Sequence, residues 1–229
     1  MFKLMKLELK KFRIRIRGVI IANLIILVSF VFITITSQNT TDIPFADYNS
    51  MFLSTASIVR VVFAIFAAVL ISRLIIGEYK NKTINIMFMY PIKRKEIMLA
   101  KLFIVALFSF IAMILSNVFL DICLYTLNIF VGFIKEPFTA NVLLNTLTNI
   151  VIYSVAFAFI NLIPVYFGMR NKSTTTTMVS AIIIVSVLNS GSSNTTLSSY
   201  IIIPIIGAII GTICSYLVIK DVEVIDVIN

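Results

Sequence analysis

Asp121 lies deep inside an apolar run near residues 102–131, where a carboxylate is costly unless it meets a partner, a cavity or a cargo. Asn117, Asp121, Tyr125 and Asn128 follow at helical spacing and fall on one face of a helix. That face must turn away from lipid, towards a neighbouring helix or a water-lined space. Arg60, in the preceding apolar run, sits at a comparable depth. The simplest expectation is an Arg60–Asp121 pair holding two helices together, with a substrate site as the alternative. Asn145, Asn149 and Tyr153 repeat the four-residue spacing on the next run.

Most enzyme chemistries are excluded by what accompanies these groups. Histidine is absent from the chain, which removes histidine-based zinc sites, Ser-His pairs and histidine relays. The nearest approach to a phosphate-binding loop, Gly168-Met169-Arg170-Asn171-Lys172-Ser173, lacks the glycine before its lysine and does not follow a strand. No ATP hydrolysis is expected from this chain itself, and no metal, cofactor or catalytic residue. Cys123 and Cys214 both fall in apolar runs and read as packing residues.

The elements that must position these groups follow from composition. Of 229 residues, 60% are hydrophobic and 13% charged, against about 45–50% and about 25% in soluble domains. Six apolar runs, near 18–36, 58–76, 102–131, 147–167, 174–189 and 201–219, are each candidate membrane spans. The third is long enough to tilt or to end in a surface helix around Tyr125. Pro164 and Pro204 are candidate kinks, and Gly207 with Gly211 forms a G-x-x-x-G that permits close helix approach.

Cations fix the expected orientation. Residues 1–17 hold seven Lys and Arg, Arg73 one, 78–101 six, 168–173 two and Lys220 one, so 17 share one side and Arg60 and Lys135 the other. Cytoplasmic flanks collect Lys and Arg, so both termini are expected in the cytoplasm. The same rule accounts for the net charge of +9 without invoking nucleic acid. Ahead of the first run, Phe2, Met5, Leu9, Phe12 and Ile16 form one helical stripe and Lys3, Lys6, Lys10, Arg13 and Arg17 the adjoining one. An interface helix in the membrane surface is expected, although the alternation over Lys11–Arg17 also fits a strand.

Between the second and third runs stands a basic segment, GEYKNKTINIMFMYPIKRKEIMLAKL from Gly77 to Leu102. Its middle, Ile84, Ile86, Met87, Phe88, Met89 and Tyr90, is too apolar for a free loop and must be buried against a partner or the bilayer surface. Glu78 ending the second run, Lys82-Thr83, and Pro91-Ile92-Lys93-Arg94 leading into the third resemble the coupling loop of the permease subunits of type-2 ATP-binding cassette transporters. Lys82 stands where that family carries glycine, and the outer loop before the sixth run is short.

The resemblance implies an all-α integral membrane protein: six transmembrane helices, an amphipathic interface helix over residues 1–17 and a cytoplasmic coupling helix within 78–101. It implies two permease subunits, alike or different, above two separate ATPase subunits that bind the ATP and Mg. Helix 82–90 would enter a groove on the ATPase, braced by Glu78 and the N-terminal helix. The implied function is export across a bacterial plasma membrane, with amphipathic peptides, antimicrobials or lipid-like molecules as cargo. A self-sufficient transporter or channel would show matching broken helices in its two halves, and residues 1–133 and 134–229 do not. A non-transporting anchor or sensor is the third reading.

Overall fold

The computed structural model describes residues 16–38, 47–80, 94–132, 134, 139–192, 195–197 and 200–224. The expectations for Phe2, Met5, Leu9, Phe12 and Arg13, and for Lys82 through Pro91, lie outside these residues, as does the side chain of Arg94. The described chain is a helical array: α1 (Ile16–Gln38), α2 (Tyr48–Ile71), a π-helical turn (Ser72–Ile76), α3 (Gly77–Lys80), α4 (Arg94–Val131), α5 (Ala140–Ile160), α6 (Ile163–Asn171), α7 (Thr174–Leu188) and α8 (Ile202–Val224). A small hairpin joins α7 to α8, pairing Gly191 with Thr196 and Ser192 with Thr195.

Four of these stretches are long and apolar enough to cross a membrane: Tyr48–Lys80, Lys95–Phe130, Ala140–Asn171 and Ile202–Asp221. Shorter apolar helices cover Gly18–Ser29 and Thr174–Leu188. Large apolar side chains face outward on these helices, among them Phe130, Leu115, Ile122, Ile202 and Ile25. An exterior this apolar suits hydrocarbon rather than water.

Helix ends differ from the apolar runs for local reasons. The second helix begins at Tyr48, well ahead of residue 58, because Ser50 Oγ accepts from the Asp47 N–H at 3.2 Å and closes its first turn. The third is one continuous helix of 38 residues with no break at Tyr125, and Gly132, at φ +69°, ends it as only glycine does without strain. The fourth breaks at Asn161-Leu162, and Pro164 sits in the first turn of the new helix α6. Proline fits there because that turn's N–H groups have no helical partner. Pro204 likewise lies in the first turn of α8 instead of kinking it.

Packing gathers the apolar interior into two zones. Around one end, Met51, Val59, Phe63, Met113, Leu120 and Phe157 join α2, α4 and α5. Around the other, Ile71, Leu74, Ile76, Leu102, Val105, Leu162, Val165 and Val218 join the π turn to α4, α6 and α8. Buried polar bonds tie the first zone's edge. Asn128 donates from Nδ2 to the Tyr48 hydroxyl at 2.7 Å and accepts the Ile134 N–H at 2.9 Å. Asn128→Leu strips both bonds in a buried site and should cost about 1–3 kcal/mol. Thermal unfolding of the purified protein in detergent checks this, and an unchanged midpoint would refute it.

Candidate functional site

The polar residues singled out from spacing come together on one cavity of about 460 Å³, walled by α2, α4 and α5. Arg60, Asn117, Asp121, Asn145, Asn149 and Tyr153 all line it, with Asn49, Thr146 and Ser154. Tyr125 instead lines an adjoining apolar cleft of about 280 Å³, which shares Phe52, Asp121, Thr146 and Ile150 with the cavity. Helical periodicity explains the convergence: Asn117 and Asp121 lie one turn apart on α4, as do Asn145, Asn149 and Tyr153 on α5.

Arg60 and Asp121 share the cavity, and aromatic rings surround the guanidinium. Arg60 is 2% exposed and its guanidinium sits over the Tyr153 ring, 4.6 Å from the centroid, and 5.4 Å from that of Phe157. A desolvated guanidinium gains from such ring faces. Asp121 Oδ1 is buried and accepts no hydrogen bond, so this carboxylate oxygen is not spent on Arg60. Asn117, 4% exposed, uses its Nδ2 on the Met113 carbonyl at 2.8 Å and leaves Oδ1 without a donor. The Ser154 hydroxyl is also buried without a partner. Buried polar atoms without partners are rare in native proteins and point to something that has to supply them.

A second constellation stands at the opposite end of α2. Glu78 on α3 forms a buried ion pair with Lys101 on α4, and the Lys101 ammonium also donates to the Leu74 carbonyl at 2.9 Å. Lys101 is 1% exposed and Glu78 6%. The two residues flank the segment 81–93, so they fasten together the helix leading into that segment and the helix leading out. The π turn that ends at Ile76, two residues before Glu78, leaves the α-helical pattern, a feature frequent at functional sites. By charge alone Lys101 is one cation among the loop's six. Its position after Leu99-Ala100 and before Leu102-Phe103 was the available signal, since a lone Lys among apolar residues must find a counter-charge.

Asn23 Nδ2 donates to Ser116 Oγ at 2.8 Å and ties α1 to α4. Asn161, at the α5–α6 break, is 3% exposed with both amide atoms unpartnered.

Long apolar helices around a polar cavity, with a charged clamp at one end, define a membrane-embedded transport component. The description "ABC-2 family transporter protein" matches residues 4–189, and the chain belongs to that family. It is similar to the uncharacterized protein YcbO of Bacillus subtilis (strain 168), 35% identical over 222 residues, covering 96% of this chain and 97% of the relative. No solved structure matches.

Proposed function

We propose that this chain is the membrane-spanning permease of an ATP-driven exporter powered by separate ATPase subunits. The observation that carries the proposal is the buried Glu78–Lys101 pair. It makes the base of the 81–93 segment a stiff junction between two long helices, as a loop that receives force from a partner requires. Six spans, both termini in the cytoplasm, an N-terminal interface helix and a second permease subunit complete the reading, supported by the 17-to-2 partition of cations. The polar cavity offers the cargo path, and amphipathic peptides, antimicrobials or lipid-like molecules are the cargo class.

The test is recovery of an ATPase with the full-length protein, followed by ATP hydrolysis of the complex in lipid. Phe88→Ala should reduce ATPase recovery by about tenfold, the loss expected when a buried aromatic anchor is truncated. Recovery and hydrolysis unchanged from the parent protein would place Ile84–Tyr90 in the bilayer surface and count against the proposal.

A further inference from the structure

The Asp121 cavity and the apolar cleft beside it share four residues, and each supplies what the other lacks. The cavity presents two acceptors without donors, Asn117 Oδ1 and Asp121 Oδ1, one helical turn apart. It also carries a guanidinium, Arg60, so ionisable groups of both signs line one space. The cleft is lined by Val118, Ile122, Leu143 and Leu147, and Ile122, Leu143 and Leu147 are exposed on the lipid-facing exterior. Asp121 lies on the boundary between polar and apolar spaces.

We propose that the two spaces form one binding site for a zwitterionic membrane amphiphile, a lipid whose head joins a primary ammonium to a phosphate. The ammonium donates to Asp121 and Asn117, which meets the unsatisfied acceptors with charge-assisted hydrogen bonds. Arg60 has five N–H donors in a fixed fork and faces the phosphate. One acyl chain lies in the Ile122–Leu147 cleft and enters sideways from the bilayer. A water-soluble zwitterion would leave that cleft unfilled. An anionic lipid such as phosphatidylglycerol can offer hydroxyl donors to the acceptors but brings no positive charge to Asp121. The site rests on the transporter reading for what becomes of the lipid, but not for its binding.

The experiment needs no ATPase. The full-length protein in detergent is offered equal amounts of phosphatidylethanolamine, phosphatidylcholine and phosphatidylglycerol with matched chains, and retained lipid is counted by native mass spectrometry. Phosphatidylethanolamine should exceed both others by about tenfold, because the trimethylated head has no N–H to donate and the glycerol head no positive charge. Asp121→Asn should reduce that preference to within about twofold of phosphatidylcholine. Asn149→Phe, an exposed position on the cavity wall, should fold normally and lower phosphatidylethanolamine retention by narrowing the rim. Equal retention of the three lipids by the parent protein overturns the site, as does unaltered preference in both variants. Head-group selectivity without ATPase recruitment would sink the transporter reading and leave the site standing, and the reverse result would do the opposite.

Discussion

Lys101→Met should lower the thermal midpoint of the detergent-purified protein by on the order of 10 °C. The substitution keeps the bulk of the side chain but leaves Glu78 buried opposite a thioether. Removing one member of a buried ion pair costs about 3–5 kcal/mol, whereas replacing both with apolar groups of similar shape is often neutral. The double variant Glu78→Leu/Lys101→Met should therefore recover most of the lost stability. It should not recover coupling if charge at the loop base positions the 81–93 segment. Two measurements separate these effects: thermal unfolding for the clamp, and ATP hydrolysis of the ATPase complex for coupling. A Lys101→Met midpoint equal to that of the parent would show that the pair contributes nothing to the fold.

A second large effect is expected where α8 crosses the α5–α6 break. A Cβ built on Gly211 would run into the Phe159 carbonyl oxygen and lie 2.7 Å from its carbon. Backbone cannot rotate away as a side chain can, so Gly211→Ala must push α8 outward. The cost should sit near the top of the range for overpacking, about 3 kcal/mol. Gly207, one turn earlier, is a built-in control. There the nearest atoms are Ile160 Cδ1 and Cγ1 at 3.0 Å, on a side chain that can yield. The gain of about 1 kcal/mol in helix propensity on replacing glycine by alanine offsets the crowding, so Gly207→Ala should be near neutral. Unfolding midpoints in detergent for the two variants would rank them, and equal midpoints would remove the argument.

These two sites show what the sequence could and could not convey. G-x-x-x-G is a local pattern, and its meaning, close approach of one helix to another, was readable without knowing the partner. Which backbone it meets was not, because the α5–α6 break depends on where Asn161 and Leu162 sit against other helices. The polar face of α4 was legible for the same reason as the glycines: spacing alone places Asn117 and Asp121 on one stripe, and cost in lipid turns that stripe inward. The surroundings of Arg60 were less legible, because depth along two helices says nothing about rotation about their axes. Arg60 faces Tyr153 and Phe157 on α5, and aromatic rings leave no charge signal in a sequence. Lys101 was hidden differently, since the counting that orients a membrane protein treats all cations alike, and this one is engaged inside the fold.

The π turn at Ser72–Ile76 has a consequence for how the chain tolerates length changes. Geometrically such a turn is an α-helix carrying one residue too many. Residues before and after it keep facing the interior, as Ile71 and Glu78 both do, because the surplus is absorbed within the turn. Deleting one residue from Ser72–Ile76 should therefore straighten the helix without changing the phase of either flank, and Glu78 should still reach Lys101. What would disappear is the widened backbone beside Leu74, whose carbonyl accepts the second Lys101 bond. The surplus residue thus separates two properties that an ordinary helix would fuse: the direction in which the clamp points, and the tightness with which it grips.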